Sequence, residues 1–211
     1  MAEADFRGEL IAELAEGAGV SDDDIRKFLP AGPIDKGPQN WEWVQGILRA
    51  LDNTRIGSFS IDAFTRDVYV YLTNRTVRKE IDRIVSKAIP DEPCVVVGHS
   101  LGTVVGYNML YRTTPPRAVR QYISLGSPLG VKAIQKHMEK PGKIPSVVSS
   151  WRNAYDDRDV VALRPLSPNT FPGNPALENK SDVKNKTKNR HGIVGYLDDP
   201  VVAAWIHDAL K

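Results

Sequence analysis

The stretch at residues 94–102 constrains the fold of this chain more than any other. It begins with a cysteine and three consecutive valines, and it ends in Gly-His-Ser-Leu-Gly, with the serine at position 100. A helix-forming segment, residues 103–112, follows directly. Such a sequence predicts a buried strand, a tight turn and a helix. Gly98 and Gly102 remove side chains that would crowd the backbone in that turn, so Ser100 is expected at its exposed tip. The pentapeptide alone is a weak signal, and its flanks give it weight.

This strand–turn–helix resembles the nucleophile elbow of the α/β-hydrolase family, in particular its lipase- and esterase-like members. The resemblance implies an α/β fold with a mainly parallel sheet flanked by helices, and Ser100 as the nucleophile. The helix after the turn brings free N–H groups and a positive dipole end toward the serine. The Leu101 N–H is therefore a candidate oxyanion-hole donor. In this family the catalytic residues follow the order nucleophile, acid, histidine.

The catalytic histidine of such relatives lies in a loop just before the last helix. His191 has this position, after a polar, lysine-rich segment and before a final helical stretch. His207 falls inside the final helical pattern and is expected to be a surface or boundary residue, and His137 precedes the candidate acids. We predict His191 as the general base. The alternative is a solvated loop histidine.

The acid is expected after a strand that ends between the elbow and His191. Residues 146–155 predict this strand, and four polar candidates follow or end it: Asn153, Asp156, Asp157 and Asp159. The apolar residues after Asp159 resemble the pattern that follows the acid in lipase-like relatives. We predict Asp159 as the acid that orients the imidazole. Asp156 and Asp157 are the alternatives, with a turn and solvated charges as their structural explanation.

Two further residues are candidate substrate contacts. His99 lies directly beside Ser100, and Ser127 lies in a Gly-Ser-Pro sequence after the next predicted strand, as in many relatives. A turn serine is the alternative for Ser127. Residues 164–190 form a long, proline-containing segment that predicts either a lid or an edge cover. Its lysines, followed by Arg190, favour either an anionic substrate or lipid surface, or a solvated face.

The resemblance implies a serine hydrolase that cleaves an ester or related acyl bond of a small molecule or lipid through an acyl-enzyme. Thioesters and amides stay open, because the same chemistry serves them. No cofactor is expected, and the sequence has no histidine or cysteine spacing typical of a metal site. The alternative is a catalytically weak hydrolase remnant that binds a partner or ligand. A helical interaction domain with a chance elbow is a third possibility.

Composition places the chain among ordinary globular proteins. It has 211 residues, 41% hydrophobic and 26% charged, which predicts a single domain over residues 1–211. The formal net charge of +2 is too small to indicate nucleic-acid binding. Cys94 has no partner for an internal disulfide, and the sequence shows neither a signal peptide nor a membrane-spanning run. We therefore expect a cytoplasmic location.

The first part of the chain, residues 1–90, is predicted to be mostly helical, and residues 91–211 to form the core with elbow, acid and histidine. Apolar residues recur at helical spacing from Ile61 to Leu72, although residues 68–71 also fit a short strand. A further amphipathic helix is predicted to end at Pro90. Strands are predicted near residues 94–98, 121–125 and 147–154, with a fourth near 182–186.

The sequence departs from the family at one point. Relatives carry a His-Gly motif before the elbow that supplies the second oxyanion N–H, whereas the first histidine of this chain is His99. We therefore expect an N-terminally incomplete version of the fold. Its elbow strand would lack an upstream neighbour, which predicts self-association or pairing with a partner chain through the exposed edge. Activity would fall roughly 10²-fold or more below that of a relative with both donors.

Overall fold

A four-stranded, all-parallel sheet forms the centre of the molecule in the computed structural model, which describes residues 3–52, 61–113, 118–173 and 177–211. Its strands lie in the same order as in the chain: β1 (Cys94–His99), β2 (Val119–Leu125), β3 (Trp151–Ala154) and β4 (Leu177–Lys180). The chain thus forms an α/β domain with a parallel sheet, and the strands place their carboxyl ends at one common edge.

Helices account for most of the remaining secondary structure. Those before the sheet are α1 (Glu3–Gly17), α2 (Asp22–Arg26), α3 (Trp41–Asp52), α4 (Ile61–Thr73) and α5 (Arg75–Ser86). Those between and after the strands are α6 (Leu101–Arg112), α7 (Lys132–Gln135), α8 (Ile193–Leu197) and α9 (Pro200–Leu210), with a short 3-10 helix at Pro128–Gly130. The described residues therefore contain nine α-helices.

The two faces of the sheet are covered by different layers. Side chains alternate along a strand, so Tyr122 and Ile123 of β2 point to opposite faces. Tyr122 and Trp151 lie in register and belong to a large hydrophobic cluster shared with helices α1 to α7. We call this the thick face. Ile123 belongs to a smaller cluster covered by α8 and α9, whose buried members are Ile123, Leu125, Ala154, Val183, Tyr196, Val202 and Trp205. We call this the thin face.

In the described part of the first 90 residues, the structure has five helices, α1 to α5. The segment that fitted either a helix or a short strand is α4, so the strand alternative for residues 68–71 is wrong. Helical spacing prevails because Val68 and Leu72 are one turn apart and both are buried against the core. The helix predicted to run up to Pro90 ends as α5 at Ser86.

The fourth strand does not lie where the sequence predicted it. Residues 182–186 are irregular, and β4 occupies Leu177–Lys180 instead. The alternation that indicated a strand is real, because Val183 and Asn185 are buried while Lys184 is exposed. The Asn185 N–H, however, donates to the Asp156 carboxylate, 2.8 Å away, rather than to a neighbouring strand. The Asp156 side chain thus accepts the hydrogen bond that a neighbouring strand would otherwise accept.

The strand that carries the elbow lies at an edge of the sheet. Within the described residues, β1 pairs with β2 alone, and Val97 is 40% exposed. No residue of β1 itself is charged or a proline, the residue types that commonly block pairing at a sheet edge. Self-association or binding of a partner chain at this edge stays a prediction. A search of the described helices found none that is long and apolar enough to span a membrane.

Candidate active site

Loops from several strand ends bring the predicted residues together. Ser100 follows β1, Gly126 follows β2 and Asp159 follows β3, so all three lie at the carboxyl edge of the sheet. His191 comes from the segment between β4 and α8. Parallel sheets commonly bind ligands at this edge, because loops from neighbouring strands converge there.

Ser100 sits in a strained turn between β1 and α6. Its φ of 54° and ψ of −129° lie in a region that non-glycine residues rarely adopt. Its N–H donates to the Leu125 carbonyl, 3.1 Å away, which ties the turn to β2. A Cβ at Gly98 would lie 3.0 Å from the Thr103 Cα, as the tight turn predicted. At Gly102 a Cβ would meet nothing within 4 Å, so the crowding expected there is absent.

Leu101 is the first residue of α6, and its N–H is therefore among the helix donors that have no intrahelical acceptor. This position matches the sequence-based choice of an oxyanion donor. The strained backbone of Ser100 directs the chain into the helix at this point, which places the Leu101 N–H next to the serine along the backbone. The role of this N–H stays a prediction.

The His191 ring lies between Ser100 and Asp159. Its Nε2 is 2.7 Å from the Ser100 Oγ, and its Nδ1 is 2.9 and 2.8 Å from the two carboxylate oxygens of Asp159. A carboxylate can only accept, so Nδ1–H donates to Asp159 and Nε2 is left to accept the serine hydroxyl proton. Asp159 is fully buried and His191 nearly so. This order of contacts is the one that activation of a serine by a histidine requires.

The Asp159 carboxylate has two further donors. The Val161 N–H donates to Oδ1 at 3.0 Å, and the Tyr196 hydroxyl donates to Oδ2 at 2.5 Å. The sequence analysis did not select Tyr196. Its only signal was an aromatic residue with a polar tip, five positions after His191 in a short apolar helix. Such a residue is also typical of an ordinary core.

The alternative acids lie elsewhere. Asp156 is fully buried, but its carboxylate accepts the N–H groups of Arg158 and Asn185, both at 2.8 Å. Asp157 has an exposed side chain beside the Arg158 guanidinium. Asn153 is buried within β3 and accepts a hydrogen bond from the Ser124 hydroxyl. Of these candidates, the structure brings Asp159 to His191.

Asp156 has a visible structural task through Asn185. The Asn185 side-chain amide donates to the Gly192 carbonyl at 2.9 Å, directly after His191. The Arg190 backbone has a φ of 56°, and its side chain donates to the Asn185 carbonyl. The segment that ends at His191 is therefore fixed to the end of β3 by side-chain hydrogen bonds rather than by sheet pairing.

His99 contacts the histidine segment directly. Its Nε2–H donates to the His191 carbonyl at 2.6 Å, and the two rings are 4.8 Å apart. Burial, followed by the neighbouring His191, lowers the pKa of His99. A neutral His99 with its proton on Nε2 fits this carbonyl contact. A contact of His99 with substrate stays a prediction.

Ser127 caps the 3-10 helix after β2. Its hydroxyl oxygen accepts the Leu129 N–H at 3.2 Å and lies 2.8 Å from the Thr103 hydroxyl, and the residue is 3% exposed. The Thr103 hydroxyl in turn donates to the Ser100 carbonyl at 2.7 Å. These contacts are those of the turn serine that was the alternative. A substrate contact by Ser127 stays untested.

The two remaining histidines, His137 and His207, contact other residues. His207 is exposed on α9 and contacts Asp208, whereas His137 packs edge-on against Phe6. Across the described ranges, no group of three or more histidine, cysteine or acidic side chains is placed to hold a metal ion. Lys184 is exposed on the segment before His191. Within the longer segment 164–190, residues 174–176 lie outside the described part. The lid and the anionic-surface interpretations stay predictions.

Comparisons with known proteins add no relative. The chain matches no protein family, no curated protein and no solved structure. The fold itself defines the class, an α/β protein with an all-parallel sheet. Any function must therefore be argued from the residues at the carboxyl edge of that sheet, since fold alone does not determine function.

Proposed function

We propose that this protein is a serine hydrolase of the α/β-hydrolase type, which cleaves an ester or related acyl bond of a small molecule or lipid. Ser100 is the nucleophile, His191 the general base and Asp159 the acid that orients the histidine. The observation that carries the proposal is the 2.7 Å contact between the His191 Nε2 and the Ser100 Oγ. It occurs at a serine with strained backbone, which supports a functional rather than a purely structural contact.

The first half of the reaction forms an acyl-enzyme. The Ser100 Oγ attacks the acyl carbon while its proton moves to the His191 Nε2. The carbonyl oxygen becomes an oxyanion, which the Leu101 N–H stabilises. The imidazolium, held by the Asp159 carboxylate, then gives its proton to the leaving oxygen as the bond between carbon and leaving group breaks. The alcohol departs and the acyl group stays on Ser100.

The second half releases the acid. Water takes the place of the alcohol, and His191 accepts one of its protons as the water oxygen attacks the acyl carbon. The second oxyanion collapses, the bond between Ser100 Oγ and the acyl carbon breaks, and the proton returns from Nε2 to Oγ. Buried Asp159 keeps Nδ1 protonated throughout, so Nε2 is always the nitrogen that exchanges the proton.

A fluorophosphonate probe tests this proposal directly. An activated Ser100 attacks the probe's phosphorus, expels fluoride and retains the phosphonyl group. We expect labelling of the native chain, none after heat denaturation, and none in Ser100→Ala. Ser86→Ala is the matched control, because Ser86 lies at the end of α5 and its hydroxyl donates to a backbone carbonyl. Normal labelling of Ser100→Ala with an unchanged melting temperature would falsify the assignment.

A second candidate function is a catalytically weak relative that binds a ligand or partner. It is favoured by the oxyanion donors, because Leu101 offers the one candidate donor that we identify in the described residues. Losing one such donor costs about 10²–10³-fold in kcat. Slow probe labelling that still depends on Ser100 and His191 indicates the weak enzyme, and absence of labelling in a folded chain indicates binding alone.

A further inference from the structure

Tyr196, on α8, contacts the candidate acid through its hydroxyl, 2.5 Å from the Asp159 Oδ2. We propose that Tyr196 is a positioning residue, which holds the Asp159 carboxylate in the orientation that keeps His191 in register with Ser100. The proposal rests on the proposed function and adds to it a fourth residue that touches no substrate.

The hydrogen bonds of the phenol determine the direction in which its proton points. The Asp156 N–H donates to the Tyr196 oxygen at 3.3 Å, so that side of the oxygen accepts. The single hydroxyl proton is left for Asp159. Burial, followed by the charge of Asp159, raises the pKa of Tyr196 well above its ordinary value. The raised pKa favours the neutral phenol, which is the form that donates to Asp159.

The fit around this contact is close. Tyr196 is fully buried in the thin-face cluster, so its ring has little freedom to turn. Gly126, at the end of β2, has a φ of 54°, and a Cβ there would lie 2.9 Å from both the Tyr196 ring and the Asp159 Oδ2. A glycine at this position leaves room for the phenol and the carboxylate to meet. The end of β2 is thus shaped around their contact.

The contact has an electrostatic consequence for His191. The hydroxyl and the Val161 N–H both donate to Asp159 and draw part of its negative charge away from the imidazole. Without the hydroxyl, more negative charge faces Nδ1, which favours the imidazolium. The carboxylate also loses one of the contacts that fix its rotation.

Other titratable groups border this pair. His99, at the end of β1, faces the His191 ring at 4.8 Å and the Tyr196 ring at 5.9 Å. Asp156, after β3, adds a negative charge near the phenol. The Arg158 guanidinium lies 3.3 Å from the Asp156 carboxylate and partly offsets that charge. Removing the Tyr196 hydroxyl keeps these charged groups in the chain, but it also removes the acceptor of the Asp156 N–H. The effect on Asp159 is therefore read at His191 itself, through the pH profile and the Nδ1–H resonance.

Tyr196→Phe removes the hydroxyl and keeps the ring. We expect kcat for a p-nitrophenyl ester to fall about 10-fold, because the acid and base are held less firmly. KM is expected to stay the same, and the acid limb of the pH profile of kcat/KM to move to higher pH. The low-field proton resonance of the His191 Nδ1–H, a readout that needs no turnover, is expected to move further downfield.

Tyr107→Phe is the matched control. Tyr107 is also buried and donates to backbone carbonyls at Lys140 and Lys143, at 2.6 and 2.5 Å. Losing its hydroxyl lowers the melting temperature without moving the pH profile or the resonance. A second probe is 3-fluorotyrosine at position 196, which strengthens the donor and is expected to move the acid limb to lower pH.

The outcomes separate the two proposals. If Tyr196→Phe lowers activity but leaves both the acid limb and the low-field resonance where they are in the wild type, Tyr196 is a core residue only and the inference is wrong. The same follows if Tyr107→Phe produces the same shifts. If the wild type is neither labelled nor active, the proposed hydrolase fails, and the resonance still decides whether Tyr196 controls the pair of Asp159 and His191.

Discussion

The thick and thin faces of the sheet support the candidate site in different ways. Ser100 directly precedes α6, and α6 packs against the thick face together with the helices of the first half of the chain. His191 lies two residues before α8, which belongs to the thin face together with α9. Ser100 thus adjoins a helix of the large hydrophobic cluster, and His191 adjoins a helix of the small one.

The difference shows how precision is obtained without a large core. On the thin face, hydrogen bonds rather than apolar packing fix the positions of the side chains. The Asp156 carboxylate accepts the Asn185 N–H, and the Asn185 side chain donates to the Gly192 carbonyl. The Tyr196 hydroxyl donates to Asp159. Directional bonds fix orientation more narrowly than apolar contacts do, but each contributes only about 1–3 kcal/mol to stability. We therefore expect function to be more sensitive than stability to changes on the thin face.

The largest expected effect comes from the acid itself. Asp159→Asn keeps the size of the side chain but removes the charge and favours the wrong tautomer of His191. We expect a loss of about 10⁴-fold in kcat, by analogy with the same change in other triads. Asp156→Asn is the matched variant, and its loss is expected to be about 10-fold, because it acts only through Asn185. In steady-state esterase assays, a larger loss for Asp156→Asn than for Asp159→Asn would reverse the assignment of the two residues, and equal losses would contradict it.

The two faces are compared directly by truncating one buried side chain on each. Leu14→Ala, in α1 on the thick face, is expected to cost about 2–5 kcal/mol of unfolding free energy and to leave kcat per folded molecule unchanged. Val202→Ala, beside Tyr196 in the thin-face cluster, is expected to cost about 1–2 kcal/mol and to lower kcat several-fold. Denaturant titration and active-site-normalised assays measure both. The comparison breaks if Leu14→Ala lowers kcat more than Val202→Ala does.

The smallest expected effect concerns pH and His99. Burial lowers the pKa of His99 in the folded chain below its ordinary 6.5, so the unfolded chain binds more protons as the pH falls through that value. This histidine therefore contributes a loss of stability toward acidic pH, and none above neutrality. His99→Gln, whose amide can still donate to the His191 carbonyl, is expected to lose less stability between neutral and mildly acidic pH than the wild type.

Denaturant melts at the two pH values check this expectation. His207→Gln serves as the control, because His207 is exposed on α9. An identical pH dependence in all three proteins would mean that the fold places no cost on a charged His99. A steeper dependence in His99→Gln would mean that the contact with the His191 carbonyl matters more than the charge.

The elbow was the easiest part to predict, because all its signals are local. The valine run before Ser100, the glycines at positions 98 and 102 and the helix-forming residues after them are all close to the serine in the sequence. Together they predict its local structure. His191 and Asp159 were chosen by chain order and by a resemblance, and the structure brings His191 to Ser100 and Asp159 to His191. Their catalytic roles still await the assays above.

What the sequence did not reveal depends on contacts between distant segments. The stretch at 182–186 alternates like a strand, but the Asp156 carboxylate occupies the N–H that a neighbouring strand would need. Tyr196 looked like any core aromatic, because its role depends on a carboxylate 37 positions earlier in the chain. Periodicity reports which side of a segment is buried, and it does not report which partner is found there.

The spacing of the site along the chain has a consequence for folding. The partners of His191 lie 91 and 32 positions before it, on loops that meet only after the parallel strands have aligned. Contacts between such distant segments carry a large loop-closure cost and form slowly. Some helices of the first half, in contrast, contact the next helix in the chain, as α2 contacts α3 and α4 contacts α5. During refolding, helical signal should therefore return before Ser100 becomes reactive, so that reactivity at this serine marks the last step of assembly rather than the first.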